Sequence, residues 1–233
     1  MVNKWILGAR PRTLPAAVVP VVVGLAVAIG VERAQWSRAG LALVVSLLLQ
    51  VGVNYANDYS DGVRGTDEVR VGPQRLVGSG LASARSVKLA AFLCFGLAAI
   101  VGLALALMTS LWVIPVGLAS VLAGWFYTGG KNPYGYIGLG EVFVFVFFGL
   151  VATVGTTYVI LEKIPAMAWL QGIATGCLAC ALLVINNLRD IPTDRLVGKR
   201  TLAVRLGDQR TRILFITLIL LGIGCGTAAA GMG

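Results

Sequence analysis

Four acids, Asp58, Asp61, Asp67 and Glu68, fall in VNYANDYSDGVRGTDEVR at residues 53–70, beside Asn54 and Asn57. A second acid–amide group, Asn186, Asn187, Asp190 and Asp194, falls in INNLRDIPTDRLVGKR at 185–200. On a helix, Asn54, Asp58 and Asp61 follow i, i+4, i+7 spacing and share a face; Asn186, Asp190 and Asp194 follow i, i+4, i+8. Carboxylates this crowded repel one another and take up protons unless a cation holds them. The chain has no histidine, so hard oxygen donors point to Mg²⁺, which takes one or two carboxylates together with phosphate oxygens and water. Arg64, Arg70, Arg75, Lys131, Arg189, Arg195, Lys199 and Arg200 lie in the same polar segments. Arginine meets phosphate with a planar fork and lysine with a point charge. Acids and bases together suit a Mg²⁺-bridged diphosphate, and in an apolar chain that means a lipid diphosphate.

The elements that carry these groups are apolar helices. Of 233 residues, 58% are hydrophobic and only 12% charged, with a mean hydropathy of +0.87. Seven apolar runs, about 14–31, 38–56, 86–108, 111–128, 138–161, 166–188 and 212–231, are each long enough to cross a bilayer as a helix. They lack the strict alternation of barrel strands. The expected fold is therefore all-α, a polytopic transmembrane helical bundle formed by residues 1–233 as a single domain.

Charge sets the orientation. If the seven runs are spans, all but three of the 19 Lys and Arg, namely Arg33, Arg38 and Lys163, fall on one side. Positive residues stay cytoplasmic, which places the N-terminus and the long loops 57–85 and 189–211 there and accounts for the net charge of +9 without nucleic acid. The expected location is the cell membrane. The first run follows Arg10 and Arg12 and reads as an uncleaved helix rather than a secretory signal. Cys177 and Cys180 form a C-x-x-C inside a span, where packing is the expected role. Arg33, Arg38, Glu162, Lys163, Asp208, Arg210 and Arg212 read as interface markers. The Asp clusters do not, because all but two of the ten acids, Glu32 and Glu162, lie on the positive side, where orientation does not require them. The two clusters end spans 2 and 6, a short echo that matches two four-helix units repeated in parallel.

NDYSDGVRGTD resembles the first Asp-rich motif of the UbiA superfamily of intramembrane aromatic prenyltransferases, and NNLRDIPTDRLVGKRTLAVRLG resembles the second. The third acid of the first motif, Asp67, falls later than in the general N-D-x-x-D-x-x-x-D pattern. That spacing, with RPRTLPAAVVPVVVG and YTGGKNPYGYIGLGE, resembles the 1,4-dihydroxy-2-naphthoate polyprenyltransferases of menaquinone synthesis over about residues 8–207.

The resemblance implies nine helices around a central cavity, of which the last two are expected to be missing here. It also implies Mg²⁺ and polyprenyl diphosphate at the cytoplasmic end. By matching positions, Asp58, Asp61, Asp67, Asp190 and Asp194 are the expected Mg²⁺ set, with Asn54, Asn57 and Asn187 in support. Arg64, Lys131, Lys199 and Arg200 are the expected diphosphate clamps, while Arg189 is either another clamp or the ion-pair partner of Asp190. Tyr127 is placed to stabilise an allyl cation with its ring face, or else to mark the interface. Arg12 or Arg10 is expected at the substrate carboxylate, Glu141 at the wall of the arene site, and the segment 71–80 as a lid. The implied reaction moves a polyprenyl group to 1,4-dihydroxy-2-naphthoate, releasing CO₂ and diphosphate and giving demethylmenaquinol. Another acceptor such as 4-hydroxybenzoate is the near alternative. A secondary transporter is the distant one, disfavoured because its ionisable residues belong near the bilayer midplane, where this chain has almost none.

Overall fold

A computed structural model describes residues 3–32, 34–66 and 74–231. It is helical throughout, with no strand among the described residues. A short helix α1 (Lys4–Ala9) is capped by the Asn3 side chain, which accepts from Trp5 N at 3.0 Å. It ends at Arg10, whose backbone is left-handed at φ 52°. A 3₁₀ turn (Pro11–Thr13) leads to α2 (Pro15–Val31), and the two halves are bent by 49°. Pro11 and Pro15 explain the break, since neither has an N–H to continue the ladder.

The long helices follow: α3 (Trp36–Val63), α4 (Ala84–Met108), α5 (Val113–Phe126), then α6 (Gly140–Val144) and α7 (Gly155–Leu161) joined by a π-helical stretch at Phe145–Val154. Next come α8 (Ala166–Leu196), the short α9 (Leu202–Leu206) and α10 (Asp208–Ala230). By length and composition α3, α4, Gly140–Leu161, α8 and Asp208–Ala229 can each cross a membrane, and the bent α1–α2 pair makes six if it is one span. The protein is thus a multi-pass membrane protein. The run expected to span at 111–128 forms a helix of only 14 residues. A span needs roughly 20, so α5 is short for the task.

Helix contacts rely on small residues and internal hydrogen bonds, as expected where lipid offers neither hydrophobic drive nor hydrogen-bond partners. A Cβ on Gly149 would come within 2.7 Å of Gly172 O and 2.8 Å of Gly176 N, so only glycine lets the π-helical stretch meet the α8 backbone. Thr157 Oγ1 donates to Gly24 O at 3.0 Å, and Thr153 and Thr175 share a hydroxyl bond of 2.7 Å. One apolar cluster gathers Val21, Ala28, Ala39, Leu105 and Ile160; another gathers Tyr55, Leu76, Val87, Ala91 and Phe95.

The bundle end opposite the Asp motifs carries ion pairs between helices. Arg38 Nη1 donates to Glu162 at 2.7 Å and to Val159 O at 3.2 Å, and its Nη2 donates to Met108 O at 2.6 Å. Lys163 pairs with Glu32 at 2.5 Å. Cys94, Cys177, Cys180 and Cys225 are free thiols, and Cys180 Sγ donates to Glu141 O at 3.0 Å. The C-x-x-C is packing with one weak hydrogen bond.

Candidate active site

The last two turns of α3 are polar and buried: Asn54, Asn57, Asp58, Ser60 and Asp61 are all less than a tenth exposed. Asp61 is the centre of the constellation. Its Oδ1 accepts the Tyr136 hydroxyl at 2.6 Å. Its Oδ2 lies 3.4 Å from Lys199 Nζ and 3.9 Å from Arg75 Nη2. Lys199 also stands 4.6 Å above the Tyr136 ring, and the Arg64 guanidinium lies 5.3 Å from the same ring. Thus four polar segments meet at one carboxylate: the end of α3, the α3–α4 connection, the α5–α6 loop and the α8–α9 connection.

Local geometry fixes each contributor. Thr201 caps α9, its hydroxyl accepting from Val204 N at 3.4 Å, while Lys199 N bonds Asp194 O at 2.9 Å. Arg200 N bonds Tyr136 O at 2.9 Å, stitching the α8–α9 connection to the α5–α6 loop. Gly135 sits where a Cβ would come within 2.7 Å of Tyr127 O, and Gly138 adopts φ 81°, so this loop turns tightly enough to present Tyr136 inward. Burial pushes the Tyr136 hydroxyl up from its ordinary value, and the Asp61 charge and the bond to it push the same way. It stays a proton donor at neutral pH.

The second motif reaches the same end of the bundle. Asp61, Asp194 and Glu141 all lie within electrostatic range of Tyr127, at the end of α5. Asp190 is held side-on by its neighbour, with Arg189 Nε to Oδ1 at 2.6 Å and Nη2 to Oδ2 at 2.8 Å. Of the two roles expected for Arg189, ion-pair partner is the one the geometry displays. Asn187 Nδ2 donates to Glu141 Oε1 at 3.0 Å. Glu141, buried, lines a cavity of about 270 Å³ with Val142, Phe145, Cys180, Leu202, Leu214 and Leu218. From Tyr127, aromatic rings continue through Tyr134 (5.5 Å) and Phe143 (3.9 Å from Tyr134) to Phe147 (6.1 Å from Phe143).

Several expected site residues are engaged elsewhere. Asp58, expected on Mg²⁺, is fully buried, and its two oxygens accept the N–H groups of Leu76 at 2.8 Å and Val77 at 2.9 Å. Asn54 bonds Ala9 O and Thr13 Oγ1, each at 2.9 Å, and so ties the α1–α2 break to α3. Asn57 accepts from Thr128 Oγ1 at 2.8 Å. Arg64 donates to the carbonyls of Thr128 and Gly130, which satisfies the loop backbone rather than leaving a fork for phosphate. Arg12 is exposed, whereas Arg10 turns inward and donates to Asn54 O at 3.1 Å. Lys131 and the Arg200 side chain are exposed. Asp67 lies outside the described residues, as does 71–73 of the expected lid; in the rest of that segment Arg75 and Leu76 are buried while Gln74, Gly78, Ser79 and Gly80 are exposed. Sequence reasoning names Arg75 among the bases suited to phosphate but not among the clamps, and it misses Tyr136. Three tyrosines in YTGGKNPYGYIGLGE were the available signal, but nothing in their spacing says which one faces the acids.

Among the described residues, no three Asp, Glu or Cys side chains close into a ready metal cage. Mg²⁺ needs none, since one or two carboxylates and a substrate's phosphate oxygens suffice. Asp61 and Asp194, acids that both act on Tyr127, are of the kind that requirement asks for.

The described residues thus form an all-helical membrane bundle with an acid–base cluster buried at one end. A UbiA homologue from Archaeoglobus fulgidus bound to GPP and Mg²⁺ has the same fold, with a TM-score of 0.79 over 99% of this chain and 79% of that one, at 16% identity. The chain belongs to the UbiA prenyltransferase family, whose model matches residues 17–233. It is a membrane-embedded prenyltransferase. Two relatives named 1,4-dihydroxy-2-naphthoate octaprenyltransferase are the Mycobacterium tuberculosis protein, 55% identical over 93% of this chain and 74% of the relative, and the Escherichia coli K12 protein, 39% identical over 96% and 75%.

Proposed function

We propose that this protein transfers a polyprenyl group from polyprenyl diphosphate to 1,4-dihydroxy-2-naphthoate, giving demethylmenaquinol, diphosphate and CO₂. The pairing of Asp61 with Lys199 carries the reading, because it joins an acid and a base from the two Asp-rich motifs at one point. The names of the relatives support the acceptor.

In this reading residues 1–233 act as one prenyltransferase domain in the cell membrane, with the motif end cytoplasmic as the Lys and Arg bias requires. Asp61 and Asp194, with Asp190 and Asp67, are the residues that would hold Mg²⁺. When bound there, Mg²⁺ would supply positive charge to the leaving diphosphate. Lys199 adds its own charge to the departing oxygens. Tyr136 keeps Asp61 oriented by its short hydrogen bond. As the allylic C–O bond breaks, the rings of Tyr127, Tyr134 and Phe143 offer π faces to the cation and exclude water. The ring carbon bearing the carboxylate attacks, the new C–C bond forms, and CO₂ leaves with its bonding electrons returned to the ring. Glu141, fixed by Asn187, borders the arene.

The test incubates membranes containing the protein with labelled prenyl diphosphate and a panel of aromatic acids, with and without EDTA. Product with the naphthoate, abolished by chelation and restored by Mg²⁺, is expected. Product only with 4-hydroxybenzoate overturns the acceptor, and product that survives EDTA overturns the metal.

A further inference from the structure

Lys88, half-buried in the second turn of α4, has its ammonium over three rings drawn from three helices. Tyr59 of α3 lies at 5.3 Å, Phe92 of α4 at 5.9 Å and Trp125 of α5 at 6.0 Å. The rings brace one another, with Trp125 stacked at 6.1 Å on Tyr59 and 4.8 Å from Phe92. Ring faces attract a cation yet leave its three N–H donors without conventional acceptors. Among the described residues no carboxylate or carbonyl takes Lys88 Nζ. Arg85, one turn earlier on the same side of α4, is exposed. Both cations stand near a helix N-terminus that has no acid in its first turn, where the dipole disfavours positive charge. An anion is what this held positive centre lacks. Beyond it, Leu89, Phe92, Leu93 and Ile100 form an exposed apolar strip along α4. A Cβ added to Gly96 on that side would meet nothing within 4 Å, so no described part of the chain covers the strip there. Cations held beside an indole and a phenol ring, at the end of an open apolar strip, match the headgroup and acyl zones of a leaflet.

We propose that Lys88 and Arg85 form a binding site for an anionic phospholipid of the leaflet at the motif end, its phosphate on the two cations and its acyl chains along the α4 strip. Charge complementarity selects the headgroup, and the Tyr59–Phe92–Trp125 corner sets its depth. The site is separate from the acid–base cluster, because Tyr59 and Asp61, two residues apart, project from nearly opposite sides of α3.

The experiment titrates the purified full chain in neutral detergent with phosphatidylglycerol or phosphatidylcholine of the same acyl chains, and native mass spectrometry reads the affinity of each bound lipid. The variants are Lys88→Gln, Arg85→Gln, Phe92→Leu and, as the control, Arg210→Gln, which removes an exposed cation from the start of α10. The wild type should bind one phosphatidylglycerol about 10-fold or more tightly than phosphatidylcholine, since each Lys or Arg near an anionic headgroup contributes a factor of about five. Lys88→Gln and Arg85→Gln should each cut that preference about five-fold, Phe92→Leu should weaken it, and Arg210→Gln should leave it unchanged. Equal affinity for the two lipids overturns the proposal. So does an equal loss in Arg210→Gln and Lys88→Gln, the mark of diffuse charge rather than a site. Displacement of the bound lipid by glycerol phosphate overturns a lipid as the occupant. Displacement by geranyl diphosphate with Mg²⁺ overturns a site separate from the acid–base cluster. Melting temperatures show which variants fold; if Lys88→Gln does not, Arg85→Gln, at an exposed position, decides.

Discussion

Lys199 Nζ lies 3.4 Å from Asp61 Oδ2, bridging 138 residues of chain, and both side chains are buried. An ion pair removed from water gains its Coulomb energy only against a large desolvation cost, so it is weak evidence for stability on its own. Its position is more informative. The carboxylate and the ammonium are the components a metal–diphosphate ligand would separate, each taking a partner of opposite charge.

Replacing Lys199 by Met removes that ammonium with little change of volume. Prenyl transfer should fall about 10²- to 10³-fold, the scale of losing one charge-stabilising donor, while Lys199→Arg retains part of it. Steady-state kinetics on purified protein reads the result. Activity within a few fold of wild type would remove Lys199 from the reaction.

Tyr136→Phe deletes only the hydroxyl that donates to Asp61 at 2.6 Å. A hydrogen bond to a charged group is worth about 1.5–3 kcal/mol, so kcat should drop about 10-fold or more. Because the raised Tyr136 hydroxyl stays protonated well above neutral pH, the wild type should show no loss of activity from this group between pH 7 and 9. A pH–rate profile of the two proteins checks both statements.

Glu141→Gln keeps the shape of the buried side chain beside the apolar cavity and its contact with Asn187. If Glu141 borders the arene, KM for the naphthoate should rise about 10-fold or more while KM for prenyl diphosphate stays put. An equal rise in both constants would argue for a purely structural role.

At the far end of the bundle, Arg38→Leu removes the donor to Glu162, Val159 O and Met108 O at once. The expected cost is about 1–3 kcal/mol from the carbonyls left without a donor. It should appear as a lower melting temperature in detergent, with KM for both substrates unchanged.

What the sequence settled by itself is what short-range periodicity and composition control. Apolar length dictates spanning helices, the Lys and Arg bias separates the two ends, and helical spacing puts Asn54, Asp58 and Asp61 on one face. These follow from 3.6 residues per turn and from the cost of charge in lipid, which are local. The resemblance to one family then supplied the chemistry. Tertiary structure alone decided which like residues do unlike jobs. Asp58 and Asp61 are the same side chain three positions apart, but the turn at 75–80 returns against the first and Lys199 against the second. Arg64 was spent on the carbonyls of Thr128 and Gly130, while Arg75 and Tyr136 were brought inward. A partner that arrives from 18 or 138 residues away leaves no periodic trace in the sequence. Its identity is fixed only when the helices pack and every buried N–H, carboxylate and ammonium must find an opposite.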